Sequence, residues 1–155
     1  MNFTCRKFII IKIFNISLRI QDGMLNSYIF LFYKIINMNE TELLIEKIVE
    51  GIQEKKGKRI NIINMTNLEA ICRYFVICEG TSNTQILAIA DNVKEYVNKN
   101  VNAKPLATDG LRNSIWVAMD YGDVMVHIFE NEARSFYNLE NLWNDAKLTE
   151  VPDLE

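Results

Sequence analysis

The chain has few of the residues that usually carry catalysis or hold a metal. It contains one histidine and three cysteines among 155 residues, and the cysteines, at positions 5, 72 and 78, form no CxxC pair. Structural zinc needs a cluster of Cys and His ligands, so a zinc site is not expected. No Walker-type lysine motif and no GxGxxG stretch occurs. We therefore expect no metal or other cofactor, and an intracellular, reduced protein whose cysteines serve packing.

Long uncharged hydrophobic runs are also missing. Basic residues interrupt the apolar stretches of residues 1–37, and none approaches the roughly 20 residues of a membrane-spanning helix. This segment holds five basic residues and one acidic residue, a net charge of +4, which leaves 12 basic and 19 acidic residues, a net of −7, in the remainder. Because phosphate binding needs Lys and Arg, the acidic remainder disfavours nucleic acid as a partner and favours a basic protein surface.

The change of character at Met38 indicates where the fold begins. We interpret residues 1–37 as a basic apolar extension outside the fold: sequence upstream of a start at Met38, a targeting segment, or an additional ordered element. Residues 38–145 are long enough to form one domain with an apolar core. The acidic residues 146–155 are predicted to be a frayed tail.

Two periodicities alternate in the first half of this domain. Apolar residues at helical spacing predict an amphipathic helix from Asn39, a suitable cap, to about Glu54. The segments after it predict two strands joined by one helical turn. They are Ile60–Thr66, the helical turn at Asn67–Ala70, and Tyr74–Cys78. The last of these is apolar at almost every position, as is typical of a central strand covered on both faces.

A glycine turn, Gly80–Asn83, follows the second strand and precedes a predicted helix. Ser82 suits an N-cap, and Gln85 three residues later completes a capping box. The helix is predicted to end near Lys99 and to carry a buried apolar stripe. The stripe is Ile86, Ile89, Ala90, Val93 and Val97. Because the amide groups of such a turn can also cradle phosphate, a nucleotide-binding or nucleotidyltransferase-like enzyme is an alternative function.

That alternative needs two carboxylates on one strand face to hold Mg²⁺ against phosphates. The nearest pair, Asp120 and Asp123, is three residues apart and lies on both sides of a turn. This spacing favours a structural cap at the glycine turn and a protein that is not an enzyme.

Ser114–Glu130 predicts a β-hairpin. Apolar residues alternate on both sides of Asp120–Asp123, where Gly122 can adopt a positive φ without steric cost. The hairpin contains His127, the only histidine, and Trp116, one of two tryptophans. Less regular segments flank it. They are a loop with a short strand at Pro105–Thr108, a turn at Asn131–Arg134 and a helix at Ser135–Trp143.

A series of short motifs spans residues 39–145 in a recognisable order and spacing. The motifs are Tyr74-Phe-Val-Ile, Gly80-Thr-Ser-Asn83, Ala88-Ile-Ala-Asp91, Trp116-Val, Met119-Asp-Tyr-Gly-Asp123, Val126-His-Ile-Phe129 and Tyr137-Asn-Leu-Glu-Asn-Leu-Trp143. Each motif alone is unspecific. Together they resemble the ribosomal silencing factor family, RsfS, also called Iojap-like.

The resemblance implies a compact α+β domain with a mixed β-sheet flanked by helices, similar to the nucleotidyltransferase fold but without catalytic residues. It implies a cytoplasmic protein, or an organelle protein if residues 1–37 are a transit peptide. It also implies binding to the large ribosomal subunit at the universal ribosomal protein numbered fourteen. This binding would block joining with the small subunit and repress translation when nutrients are scarce. A homodimer of the free protein is implied as well, with no membrane partner and no sequence-specific nucleic acid.

The candidate partner-binding residues combine aromatic anchors with acidic side chains. They are Trp116, Asp109, Asp120, Asp123, His127, Tyr137 and Glu140. Trp116 is the expected anchor, with core packing as the alternative for it, and His127 fits either an interface or a core position. The family usually has Asp where this chain has Asn64 and Arg73, and these departures lie outside the hairpin.

Overall fold

The computed structural model describes residues 40–154, which contain a six-stranded mixed sheet with helices on both faces. The expected helix cap at Asn39 and the extension at residues 1–37 lie outside the described residues. Among residues 40–154, no helix is long and apolar enough to cross a bilayer.

Residues 40–154 form four helices and six strands. In order they are α1 (residues 40–54), β1 (Lys58–Asn64), β2 (Tyr74–Gly80), α2 (Asn83–Val101), β3 (Ala107–Asp109), β4 (Trp116–Asp120), β5 (Val124–Glu130), α3 (Asn131–Tyr137), α4 (Leu139–Leu142) and β6 (Lys147–Val151). The sheet order is β3-β4-β5-β2-β1-β6. Only β2 and β5 pair in parallel, and α2 lies in the connection between them.

Helices α1 and α2 cover one face of the sheet with a continuous apolar core. The predicted stripe of α2 is confirmed: Ile86, Ile89, Ala90, Val93 and Val97 are all buried. They pack with Ile48 and Ile52 of α1 and with inward side chains of β2, β4 and β5. Tyr74–Cys78 is confirmed as part of a central strand, since β2 lies between β5 and β1. The predicted hairpin is also confirmed, with antiparallel β4 and β5 joined through the turn at Gly122.

The opposite face has a smaller core, covered by the short helices α3 and α4 and by the segment between β1 and β2. Its buried members are Ile63, Met65, Cys72, Ile77, Phe129 and Ala133. Partly buried side chains, including Trp116 and Met125, pack at its margin. One face is therefore closed by long helices, and the other is closed only in part.

Four predictions about local structure are wrong. Asn67–Ala70 is not helical; its turn is closed by the hydrogen bond from the Leu68 amide to the Met65 carbonyl, at 2.9 Å, and by the Asn64 side chain. Asn131–Arg134 already belongs to α3, and the helix predicted over Ser135–Trp143 is interrupted at Asn138, which has a φ of 43°. Asn adopts this left-handed conformation more readily than most residues, so it ends one short helix and begins the next.

The fourth wrong prediction concerns the frayed tail at residues 146–155. Lys147–Val151 forms β6, which pairs antiparallel with β1 from Lys147 opposite Asn64 to Val151 opposite Ile60. As an edge strand it is exposed at four of its five positions, so no hydrophobic alternation identifies it. Two strand boundaries also shift slightly, since β1 is Lys58–Asn64 and β3 is Ala107–Asp109.

The loop between β3 and β4 depends on a close approach at Gly110. This residue has a φ of 84°, and a Cβ atom there would overlap the carbonyl group of Trp116. Gly122 has nearly the same φ, 83°, but the nearest atom to a Cβ there is Leu106 Cδ1 at 3.8 Å. The two glycines therefore separate the cost of backbone strain from the cost of a steric clash.

We expect Gly110→Ala to lower the free energy of unfolding by about 3 kcal/mol, because it adds the clash to the strain. Gly122→Ala should cost only about 1 kcal/mol, since it adds strain alone. Urea denaturation of both variants and the wild type measures the difference. Equal losses would contradict the close approach of Gly110 to β4.

Candidate functional site

Trp116 opens β4 on the partly covered face of the sheet. It lies opposite Phe129 of β5, and two residues later Ala118 lies opposite His127. Because directly paired residues share a face and side chains alternate along a strand, Trp116, His127 and Phe129 project to the same side. The hairpin thus brings the only histidine and the candidate anchor together, as the sequence spacing allows.

A hydrogen bond joins these two side chains. Trp116 Nε1 donates to His127 Nδ1 at 3.1 Å. An indole N–H can only donate, so Nδ1 is the acceptor and the imidazole proton lies on Nε2. His127 is only 4% exposed, and Nε2 is buried with no hydrogen-bond partner in the described part of the chain. The imidazole therefore supports Trp116 from inside.

Aromatic rings surround this pair. The ring centroids of Trp116 lie 4.9 Å from Phe129, in a stacked arrangement, and 4.7 Å from Tyr137 of α3. His127 meets Phe75 of β2 edge to face at 4.7 Å. Such pairs add about 1 kcal/mol each beyond burial and hold the rings in fixed orientations. We call Trp116, His127, Phe129, Tyr137 and Phe75 the aromatic cluster.

Apolar side chains beside the cluster face solvent. Phe136 is 81% exposed and packs edge to face on the half-exposed Tyr137, with ring centroids 5.2 Å apart. Leu142 of α4 is 70% exposed. A single helix over Ser135–Trp143 would have placed both on its buried side, and the break at Asn138 turns them outward. The prediction from helical spacing therefore placed two exposed apolar residues, Phe136 and Leu142, on a buried face. The tendency of Asn138 to end a helix was the sequence signal against it.

Glu140 has internal partners. Its Oε1 accepts hydrogen bonds from Arg134 Nη2 at 2.6 Å and Nε at 3.0 Å, and from Asn61 Nδ2 at 3.1 Å. Burial alone would raise the pKa of Glu140, but the hydrogen bonds, chiefly those from Arg134, lower it below its ordinary value. This carboxylate therefore stays charged and is already neutralised by Arg134.

The three candidate aspartates lie towards the other end of the hairpin. Asp109 pairs with Ala118 and so shares the face of Trp116. Asp120 also shares that face, and its Oδ1 accepts a hydrogen bond from the Gly122 amide at 2.7 Å. Asp123 is in the turn, where Oδ2 lies 3.6 Å from Arg73 Nη1 and 3.5 Å from Thr41 Oγ1. The aromatic candidates therefore contact one another, whereas the three aspartates form a separate group towards the hairpin turn.

The two departures from the family pattern fit local structure. Asn64 Oδ1 accepts hydrogen bonds from the amide and the hydroxyl of Thr66, which closes the turn after β1. Arg73 forms the ion pair with Asp123. An arginine at this position thus engages an acidic side chain that would otherwise be available to a partner.

Side chains of the turn and of the first residues of α2 form the hydrogen bonds of the glycine turn Gly80–Asn83. Ser82 Oγ accepts from the Gln85 amide at 3.2 Å, which confirms the N-cap. The predicted reciprocal bond is shifted by one residue, because Gln85 Oε1 accepts from the amide of Thr81 at 2.7 Å. Gln85 Nε2 also donates to the carbonyl of Lys55 at the end of α1. Among residues 40–154, no three His, Cys, Asp or Glu side chains come together as metal ligands.

Fold and site together define a class. This is a small α+β protein with a mixed sheet, one face closed by helices and the other carrying a partly exposed aromatic cluster. Residues 38–155 match the family described as ribosomal silencing factor during starvation. The chain therefore belongs to the ribosomal silencing factor family, RsfS, as its motifs predicted.

Individual relatives agree with this assignment. The chain is 36% identical over 115 residues to the ribosomal silencing factor RsfS of Halalkalibacterium halodurans, which covers 74% of this chain and 96% of that protein. It is 35% identical over 115 residues to RsfS of Bacillus subtilis, with 74% and 95% covered. A crystal structure of a protein from Bacillus halodurans superposes with a TM-score of 0.61 at 32% identity, covering 71% of this chain and 99% of that one. The predicted α+β class with a mixed sheet is confirmed.

The buried imidazole makes stability depend on pH. Burial lowers the pKa of His127 to about 4 from an ordinary value of 6.5, against a smaller opposing effect of the Glu140 carboxylate. The unfolded chain therefore binds the proton more readily, so the free energy of unfolding is highest above pH 6.5 and falls as the pH drops towards 4. Protonation of His127 would also place an N–H donor on Nδ1, directly facing the indole N–H donor of Trp116.

We expect the wild type to lose about 2 kcal/mol of unfolding free energy between pH 7 and pH 5. His127→Asn retains an acceptor near Trp116 but does not titrate, so it should lose much less over this interval. Urea denaturation at several pH values measures both slopes. Since the chain has one histidine, identical slopes for the two proteins would contradict the buried neutral state of His127.

Proposed function

We propose that this protein binds the large ribosomal subunit and blocks its joining with the small subunit, so that translation is repressed when nutrients are scarce. Membership of the silencing factor family supports the process, and the exposed aromatic surface supports the means. That surface consists of the rim of the aromatic cluster, Trp116 and Tyr137, with Phe136 and Leu142 beside it. The single observation that carries the proposal is the exposure of Phe136, Tyr137 and Leu142 on the short helices that cover the face of the partly buried Trp116.

The chemistry of this surface fits a protein partner. Aromatic side chains with rigid surroundings bury much area at little cost in conformational entropy, which is why they recur at binding hot spots. Scattered exposed apolar residues need no explanation, but here they adjoin an aromatic cluster. We infer that Phe136 and Tyr137 meet apolar side chains or the aliphatic stems of basic residues on the partner.

Charge gives the kind of partner. Residues 40–154 contain 12 basic and 18 acidic residues, and Asp109 and Asp120 lie on the same sheet face as Trp116. Glu140 contributes less to this attraction than Asp109 and Asp120, because Arg134 already neutralises it. A basic ribosomal protein complements such a surface and would be attracted over some distance at low salt. We propose that the partner on the large subunit is the universal ribosomal protein numbered fourteen, as the motifs imply.

A binding role is also consistent with the state of His127. Its Nδ1 is engaged by Trp116 and its Nε2 is buried, so it does not present a free base to a substrate. Ser82 caps α2, and the Gln85 side chain bonds the Thr81 amide and the Lys55 carbonyl, which favours the structural interpretation of the Gly80–Asn83 turn. A homodimer of the free protein and a cytoplasmic or organelle location remain predictions from the resemblance.

The proposed function predicts that the added protein prevents large and small ribosomal subunits from joining. Purified separated subunits, brought to a Mg²⁺ concentration that favours joining, should remain apart once the protein saturates the large subunit. Sedimentation through a sucrose gradient measures the fraction joined, and the protein should travel with the large subunit. Unchanged joining at saturating protein would contradict the proposal.

The exposed side chains should carry the contact. Phe136→Ser and Leu142→Ser are expected to weaken binding to large subunits by about tenfold each, because hot-spot side chains contribute more than about 1 kcal/mol. Because both side chains are highly exposed, the substitutions should change the free energy of unfolding little. Leu106→Ser is the matched control, since Leu106 is 76% exposed but follows α2 and lies near the hairpin turn. Equal affinities of all three variants would place the contact elsewhere.

A further inference from the structure

Arg134 is the most deeply buried charged residue of α3. It is 4% exposed, and its guanidinium group reaches three other elements. Nε and Nη2 donate to Glu140 of α4, and Nη1 donates to the carbonyl oxygen of Arg59 in β1 at 2.7 Å. Nη1 also lies 3.6 Å from Glu79 Oε2 of β2. One side chain thus joins the helix pair to two strands.

The sheet is shaped to receive this group. Arg59 has a φ of 49°, and the register of β1 against β2 shifts between Lys58 and Asn61. Such a bulge redirects backbone groups that would otherwise pair within the ladder, and here the Arg59 carbonyl accepts from Arg134. The Arg59 side chain in turn lies 3.2 Å from Glu79, so two arginines balance two glutamates.

The other contacts of the helix pair are apolar: besides the ring contacts of Tyr137, Trp143 at the end of α4 lies edge to face with Phe75, with ring centroids 6.1 Å apart. Helices α3 and α4 are only seven and four residues long, and helices this short are not stable by themselves. Ala133 is buried and Leu139 is partly buried against the sheet, whereas Phe136 and Leu142 face solvent. Apolar packing is not directional, so the pair relies on Arg134 for an attachment with a defined direction.

The attachment determines where Tyr137 lies. Arg134 and Tyr137 are three residues apart on α3, so they are neighbours on the helix surface, and fixing one fixes the rotation that presents the other. Tyr137 meets Trp116 at 4.7 Å, and Phe136 packs on Tyr137. A small rotation of α3 would separate the helical half of the exposed surface from the half on β4.

We propose that Arg134 is a positioning residue: its fork of hydrogen bonds to Glu140 and Arg59 sets the helix pair against the sheet and so assembles the ribosome-binding surface from two separate elements. This inference rests on the proposed function for its biological meaning. It assigns to Arg134 no contact with the partner. The geometry of the fork matters as well as the charge, because one planar group meets two acceptors that lie in different directions, Glu140 Oε1 and the Arg59 carbonyl oxygen.

The test compares Arg134→Lys, which keeps the charge without the fork, with Glu140→Gln and with the control Lys94→Gln. Lys94 is exposed on α2, on the opposite side of the sheet. In the first arm each change is made in a Trp143→Phe background, which leaves Trp116 as the only tryptophan, and acrylamide quenching of its fluorescence is measured. In the second arm binding to purified large subunits is measured without the Trp143 change.

We expect Arg134→Lys to raise the quenching of Trp116 about twofold and to weaken binding about tenfold, since lysine satisfies only part of the network. Glu140→Gln should change both in the same direction but less. Lys94→Gln should change neither. Circular dichroism and measurement well below the unfolding midpoint ensure that only folded protein is compared.

If Arg134→Lys leaves the quenching of Trp116 equal to that of the Trp143→Phe parent, the positioning role is overturned, whether or not binding to large subunits is weakened. If the lysine variant does not fold, Glu140→Gln decides by the same two readouts, and wild-type values for it would overturn the role. If the wild-type protein itself fails to bind large subunits, the proposed function fails. The fluorescence arm then still judges whether Arg134 sets Tyr137 against Trp116.

Discussion

Strand β5 must be covered on both faces, and this requirement shapes the whole domain. Five of its seven residues are buried, with side chains pointing to either side. On one side α1 and α2 supply a broad apolar cover. On the other, residues 40–154 supply only the short pair α3–α4 and the segment between β1 and β2, which leave Trp116 partly exposed. This part of the face is the surface that we propose for partner binding.

How this incomplete cover is held explains features that look unrelated in sequence. The buried Arg134, the bulge at Arg59 and the inward-turned Glu140 form one network that attaches the helix pair. A buried ion pair seldom adds much stability compared with apolar packing, but it requires defined geometry from every member. For a surface assembled from a strand and a helix, the consequence of this network is a fixed position of the helix relative to the strand rather than a gain in stability.

The sequence predicts best where a periodic pattern coincides with complete burial. The stripe of α2 and the central strand β2 are recognisable because every inward position is apolar. Prediction fails where burial is partial: β6 is exposed at most positions, and the break at Asn138 depends on one backbone angle. The bond between Trp116 and His127 follows from strand register, which the alternation suggests but does not determine. The role of Arg134 depends on contacts with residues about 75 positions earlier in the chain, which no local pattern contains.

The aromatic cluster also indicates why a neutral histidine is useful at this position. With its proton on Nε2, the imidazole accepts from Trp116 and gives the indole ring a defined orientation before any partner arrives. Phe129 stacks against the same ring, and Tyr137 contacts it from α3. Because these rings are ordered in the free protein, association need not restrict them again, and more of the contact energy remains for binding. A leucine in place of His127 could fill the space, but it would leave the indole N–H without this acceptor and Trp116 without the orientation that the hydrogen bond gives it.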